Sequence, residues 1–291
     1  GDVPTGLTHS AGVDLAPVDR WNFGANIDVG TLRDPLTGAT IERSGTGLRV
    51  GYGVDAIKFS SAFEYRVDNM QNPDLSVTER NSWLIKNNLK YQVSPAWRLI
   101  GKLNHAESES SLGAFYAGNY TELVLGYGYR PVLNDRLNTL FKYTYFYNLP
   151  STDQVTTSNV AVDFVQKSSV FSFDVAYDLT PRWTLGGKYA LRLGQVSLDR
   201  VDPEFFDSTA HLYILRADWQ FIRRWDATIE ARMLDVVEAQ DTRSGMLFAL
   251  YRHVGNHIKA GIGYNFTDFS DNLTDLSYDS QGIFINVVGK L

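Results

Sequence analysis

Apolar and polar residues alternate along most of this chain in runs of about ten positions, and every second run opens directly after a short turn. The openings fall at Trp21, Ile57, Trp97, Leu137, Trp183, Trp225 and Ile258. The turns ahead of them are Ala16-Pro17-Val18-Asp19-Arg20, Asp55-Ala56, Ser94-Pro95-Ala96, Leu133-Asn134-Asp135-Arg136, Thr180-Pro181-Arg182, Ile222-Arg223-Arg224 and Gly255-Asn256-His257. Proline, asparagine, aspartate and glycine in these positions pre-set or tolerate the backbone angles of a tight reversal. Successive openings lie 33 to 46 positions apart, so the repeating unit is a pair of strands with one short and one longer connection.

A period of two assigns faces. Trp21, Phe23, Ala25, Ile27 and Val29 fall on one side, opposite Asn22, Gly24, Asn26, Asp28 and Gly30. Ile57, Phe59, Ser61, Phe63, Tyr65 and Val67 alternate with Lys58, Ser60, Ala62, Glu64, Arg66 and Asp68. The runs opening at Trp183 and Trp225 repeat the pattern, with Lys188, Arg192, Glu230 and Arg232 on their polar sides.

Half-buried soluble sheets share this alternation, so strand length and aromatic placement must discriminate. Ordinary strands average five or six residues, whereas crossing a bilayer at a tilt of roughly 45° takes about 9 to 11. Nearly every run here is that long. Trp21, Trp97, Trp183 and Trp225 each take the first apolar-side position after a short turn, and Trp219 lies just before one. Amphipathic indoles in that arrangement form a ring at one membrane interface, with Trp83, Tyr145, Tyr147 and Tyr213 toward the other.

Composition agrees without deciding. The 291 residues are 44% hydrophobic, yet no segment approaches the run of about 18 apolar residues that a membrane helix needs. A spanning chain of this kind must therefore be a closed barrel, the one sheet arrangement that leaves no backbone group unpaired in lipid. Aromatic residues make up 13%, and 24 glycines suit close strand packing. The absence of cysteine excludes disulfides and thiolate chemistry. A net charge of -6 argues against a nucleic-acid partner.

The expected fold is an all-β, transmembrane, antiparallel up-and-down barrel of about 14 to 16 strands, read as a single domain over residues 1–291. Seven turn-flanked pairs and a last strand give fifteen segments, whereas single-chain bacterial barrels are even-numbered. The chain opens Gly1-Asp2-Val3-Pro4 with no signal peptide and is read as a mature form or a fragment. The odd count is read as an absent upstream strand, giving sixteen, with a first segment outside the wall, giving fourteen, as the alternative.

The final run, Gln281-Gly282-Ile283-Phe284-Ile285-Asn286-Val287-Val288-Gly289-Lys290-Leu291, places Ile283, Ile285, Val287 and Leu291 on one side. It resembles the C-terminal strand by which bacterial outer-membrane β-barrels are recognised for assembly, with Leu291 where that family most often carries Phe. The stretch from Ser197 through Pro203 and Phe206 to Tyr213 resembles barrels that end large modular surface proteins. The resemblance implies residence in the bacterial outer membrane. It also implies contact with outer-membrane lipid, lipopolysaccharide and the barrel-assembly machinery, with short turns at the periplasmic rim. A homo-oligomer and an upstream surface domain both stay open.

The polar side would line the lumen with Arg49, Lys58, Arg66, Lys86, Lys90, Arg98, Lys102, Arg130, Lys142, Lys188, Arg192, Arg216, Arg232 and Lys259. Against them stand Asp28, Glu64, Asp68, Glu122, Asp174, Asp178, Asp218, Asp226 and Glu230. Excess Lys and Arg in a pore favours anions. Opposite charges on neighbouring strands can equally well just pair. The expected activity is porin-like passive passage of ions or small polar solutes with a mild anion preference. The alternative is a C-terminal membrane anchor or translocator for a surface domain.

Longer connections are expected near 33–42, 69–80, 108–119, 148–165, 196–209, 237–244 and 268–280, with 148–165 as the segment able to fold inward and constrict the lumen. Two loop clusters, Asp199, Asp202, Glu204 and Asp207, and Asp268, Asp271, Asp275 and Asp279, carry the carboxylates calcium favours, but neither matches an EF-hand loop. They are read as solvated loop acids, and no metal or cofactor is expected. His105 is followed by Ser108, Ser110 and Ser111, the residue types of a nucleophile and base, without an orienting third group. With His211, His253 and His257 it is read as a polar group near a rim, and no enzymatic activity is expected. A soluble propeller, whose repeats also run near 40 residues, needs four strands per repeat and is set aside.

Overall fold

The computed structural model describes residues 5–34, 38–149, 165–254, 258–266, 273 and 282–289. Fifteen strands succeed one another: β1 (Thr5–Val18), β2 (Trp21–Arg33), β3 (Thr40–Gly53), β4 (Ile57–Gln71), β5 (Val77–Ser94), β6 (Trp97–Ser110), β7 (Gly118–Tyr129) and β8 (Leu137–Leu149). They continue as β9 (Val165–Thr180), β10 (Trp183–Ser197), β11 (Phe206–Ile222), β12 (Trp225–Val236), β13 (Asp241–Val254), β14 (Ile258–Asn265) and β15 (Gly282–Gly289). A single 3-10 turn, Ala114–Tyr116, is the one helical element among the described residues.

All fifteen strands form one antiparallel up-and-down sheet in which each pairs with its neighbours in sequence. Such a sheet uses only connections at its two rims, the topology of barrels that span membranes. β1 and β15 run in the same direction, and the described residues contain no ladder between them.

The seven expected openings, Trp21 to Ile258, are the first residues of β2, β4, β6, β8, β10, β12 and β14. Local chemistry explains the sharp reversals. At the β9–β10 turn, Thr180 Oγ1 accepts hydrogen bonds from the amides of Arg182 (3.2 Å) and Trp183 (3.1 Å), so the side chain replaces a backbone partner. The β1–β2 turn puts Arg20 at φ 77°, in the left-handed region that few side-chain-bearing residues visit. Ladder irregularities sit beside four of these short turns, between Leu15 and Val18, Gln92 and Ser94, Trp183 and Thr184, and Gln220 and Ile222. Bulges there increase local twist and let two residues close the turn.

Several opposite-rim connections are shorter than their sequence suggests. The expected 69–80 connection reduces to residues 72–76 and the expected 237–244 connection to residues 237–240. Hydrogen bonding carries the strands past the point where alternation fades, because beyond the apolar band both faces are polar. The 148–165 connection lies mostly outside the described residues, as do the Gly255-Asn256-His257 turn and Asp268, Asp271, Asp275 and Asp279.

Candidate functional site

Register fixes which side chains share a face, because directly paired residues in an antiparallel ladder project to the same side. One face is followed across the sheet from Asp28 through Gly45, Arg66 and Ser82 to Ser108. A second row runs from Asp174 through Lys188 and Ile214 to Arg232. Lys58, Glu64, Arg66, Lys86, Lys90, Arg98, Lys102, Lys142, Lys188, Arg192, Arg216, Asp218, Glu230, Arg232 and Lys259 all lie on this face. Trp21, Trp97, Trp183, Trp219 and Trp225 lie on the other.

The tryptophan face is apolar and uncovered. Phe173, Leu185, Leu215 and Ile229, on β9 to β12, are 46%, 46%, 71% and 50% exposed. A continuous apolar surface of this kind is untenable in water and is solvated in acyl chains. On β10 it runs from Trp183 to Leu193 before Gln195 interrupts it. At 3.3 Å per residue and a tilt near 40°, that run covers about 25 Å, the height of the apolar band on known barrels.

Aromatic rings bound this band. At the short-turn rim Trp97 packs on Tyr127 and Tyr129 at centroid distances of 4.7 and 4.1 Å, and Trp21 packs on Tyr52 at 4.8 Å. Arg252 lies over Trp225 at 5.5 Å, joining cation and indole at one rim. Nearer the opposite rim, Trp83 meets His105 at 4.7 Å, and Tyr189 Oη lies 3.0 Å from His211 Nδ1.

The polar face carries charge throughout, unevenly neutralised. On β3 and β4, Arg43 donates two hydrogen bonds to Asp68, at 2.7 and 2.9 Å. On β6 and β7, Lys102 contacts both oxygens of Glu122 at 2.9 and 2.8 Å, and Asn104 and Tyr120 donate to the same carboxylate at 3.1 and 3.0 Å. Over β9 to β14 the pairing is dense. Lys188 lies 4.0 Å from Asp174, Arg216 2.8 Å from Asp218, and Lys259 2.8 Å from Asp226, while Arg232 meets Glu230. Asp226 also lies 2.7 Å from His253 Nε2. By contrast, Lys58, Lys86 and Lys90 have no carboxylate partner among the described residues. The concavity over β1 to β8 encloses about 840 Å³, bordered by Asp28, Arg43, Glu64, Arg66, Asp68 and Arg80 among others.

One feature escapes alternation altogether. Val170, Ala190, Ala210, Leu212, Ile214 and Leu234 form a buried apolar patch on the polar face of β9 to β12, with Leu273 packed among them. Apolar residues occupy both faces there, so the sequence carries no period to read. Within the patch Arg192 is only 3% exposed; its Nη1 donates to Ser208 Oγ at 3.1 Å, and its Nε lacks a partner among the described residues.

Among the described residues, His105 and the serines that follow it are not brought together. His105 Nδ1 lies 2.7 Å from Thr121 Oγ1 on the tryptophan face, while Ser108 and Ser110 project to the other side. No group of three metal-ligating side chains occurs among the described residues. In the β10–β11 connection, Asp199 accepts hydrogen bonds from the amides of Val201 (2.9 Å) and Asp202 (3.3 Å), which hold its carboxyl below the ordinary value.

A fifteen-stranded antiparallel meander with an exposed apolar band, aromatic rims and a charged opposite face is the fold of bacterial outer-membrane β-barrels. Solved structures of that class match it. The copper transporter OprC matches 97% of this chain with a TM-score of 0.53 at 10% identity. The ferric-catecholate import receptor Fiu from E. coli K12, in its closed form, matches 99% with a TM-score of 0.53 at 8% identity. The ferric citrate transporter FecA matches 96% with a TM-score of 0.53 at 11% identity. The chain spans 57%, 62% and 51% of those three chains, and at such identities the likeness concerns the fold. No protein-family profile matches the sequence, and no curated protein does.

Proposed function

We propose that the chain forms a non-catalytic conduit in the bacterial outer membrane through which ions or small polar solutes pass, with a mild preference for anions. The observation that carries this reading is the charged face. Register joins its cations and carboxylates into one wall, and Lys58, Lys86 and Lys90 have no carboxylate partner among the described residues. A wall of this width leaves more space than its side chains fill, and unneutralised lysines raise the local concentration of anions. The solved transporters with this fold move their cargo across the same kind of membrane, which supports a transport role without naming a solute for this chain.

The test is single-channel conductance of the purified protein in a planar bilayer, with reversal potential measured under a salt gradient. Stable conductance and a reversal potential displaced toward the anion equilibrium value are expected. Correctly inserted protein that conducts nothing would overturn the conduit in favour of a membrane anchor or translocator for a surface domain.

A further inference from the structure

We propose that Lys58, Lys90 and Arg98 form a binding station for a small multivalent oxyanion on the charged face, near the short-turn rim, with Lys86 adding positive potential beside it. The inference rests on the conduit reading and gives it a place where a solute pauses. Lys58 and Lys90 are direct partners across the β4–β5 ladder, and Lys86 follows Lys90 on the same face two pairs further along. Directly opposed residues stand about 5 Å apart and diagonal same-face neighbours about 7–8 Å apart. Lys58, Lys90 and Arg98, whose ladder partner Gln92 is the next same-face residue after Lys90, therefore reach toward one anion, while Lys86, about 13 Å along β5 from Lys90, adds positive potential from the side. Like charges placed directly opposite oppose sheet formation. A bridging anion removes that repulsion.

The surroundings do not supply the missing charge. On the same face, Lys58 faces Gly53 on its other side, Lys90 faces Ile100, and Lys86 lies between Ala62 and Asn104. Glu64 is the carboxylate closest in the ladder, one same-face pair away from Lys86, and it forms no ion pair with any of the three. Lys102 is occupied by Glu122. Arg98 spends its Nε on Gln92 Oε1 at 2.9 Å, which holds its guanidinium beside the lysines with further N–H groups free for an oxyanion. Asn88, between Lys86 and Lys90 on the same face, adds an uncharged donor. Where cations crowd elsewhere on this wall, carboxylates accompany them, at Asp174, Asp218, Glu230 and Asp226. The β4–β6 group is the exception, and a ligand with several negative oxygens fits it better than a monovalent halide.

The experiment measures inorganic phosphate binding to the full chain in detergent micelles, by phosphorus NMR line broadening, at constant ionic strength set with sodium chloride. Saturable binding is expected. Exchange of both facing lysines in K58Q/K90Q raises the dissociation constant at least tenfold, K58R/K90R retains binding within about threefold, and R182Q, a cation at the same rim outside the group, leaves it unchanged. Absence of saturable binding overturns the proposal. So does equal weakening by K58Q/K90Q and R182Q, which marks diffuse attraction in place of a site. Conductance is read separately, so a conducting protein without phosphate binding refutes the station alone, and a phosphate-binding protein without conductance refutes the conduit alone.

Discussion

Trp183 and Trp219 face each other across the β10–β11 ladder, on the apolar side of the sheet, with ring centroids 5.2 Å apart and planes 10° from parallel. Their position beside a short turn puts two indoles at one height, where a polar N–H can meet headgroup water while the rings enter the acyl region. The strand between them and the far rim must then cross hydrocarbon.

That placement makes Leu215 a depth probe. It is 71% exposed on the tryptophan face, directly opposite Gly187, near the middle of the apolar run on β10. Leu215→Arg is expected to destabilise the folded protein in lipid by about 2–4 kcal/mol, the cost of a cation at the midplane of a barrel wall. Trp97→Asp and Trp225→Asp are expected to reduce insertion yield, whereas Lys188→Gln on the opposite face mainly changes conductance. Reversible urea unfolding in vesicles measures the first and heat-modifiable gel mobility the second. If Leu215→Arg is neutral, the exposed apolar face does not meet lipid.

The pair formed by Arg43 and Asp68 holds together more charge than its own two hydrogen bonds indicate. Asp68 is also the register partner of Arg80, so one carboxylate stands between two guanidinium groups. Asp68→Asn removes the only negative group of the three and leaves both arginines on adjacent strands. A loss of about 1–3 kcal/mol is expected, the range for a charge-assisted hydrogen bond. Arg43→Gln added to Asp68→Asn should recover part of it, which a double-mutant cycle in urea reveals. Additive losses would show that the two side chains are uncoupled.

Strand starts were legible in the sequence because each is marked twice, by turn chemistry and by a change to period-two alternation. Trp21, Trp97 and Trp183 are all strand openings for that reason. The face of Lys58 or Arg216 was legible from the same period. Strand ends at the opposite rim were not, since β5 runs back to Val77 through Glu79 and Asn81, where polarity on both faces erases the alternation. Charge pairing was equally hidden. That Lys188 meets Asp174 while Lys90 meets Lys58 depends on register between strands, which one strand's sequence does not contain. Burial of Arg192 among Val170, Ala210 and Leu212 lay furthest from view, because Leu273 reaches that patch from a distant part of the chain.

Gly194 is the residue over which Arg192 folds. A Cβ built at Gly194 would lie 2.7 Å from Arg192 Cζ and 2.9 Å from the carbonyl oxygen of Ser208. The guanidinium can swing away, but the Ser208 backbone is fixed by the ladder. Gly194→Val is therefore expected to cost about 1–3 kcal/mol, the usual range for overpacking, and to break the Arg192–Ser208 hydrogen bond. Ser208→Ala tests the second part, since it removes that bond without crowding. If Gly194→Val unfolds at the same urea concentration as the unaltered protein, the close approach at this position is relieved at no cost.

The β10–β11 connection offers a readout of pH outside the membrane wall. The Asp199 carboxylate accepts amide hydrogen bonds from Val201 and Asp202, which lower its pKa below the ordinary aspartate value. A carboxyl with a depressed folded-state pKa contributes order that is present above its unfolded value and lost as pH falls through the folded one. The turn formed by Asp199, Val201 and Asp202 is thus expected to persist at neutral pH and to loosen only in acid, below the titration of an unperturbed aspartate. Carbon NMR of the Asp199 carboxylate gives the midpoint, and hydrogen exchange of the Val201 amide should accelerate over the same interval once the intrinsic pH dependence is removed. Asp199→Asn, which cannot ionise, is expected to abolish the pH step in exchange. A midpoint at or above the ordinary aspartate value would show that the carboxylate does not hold those amides.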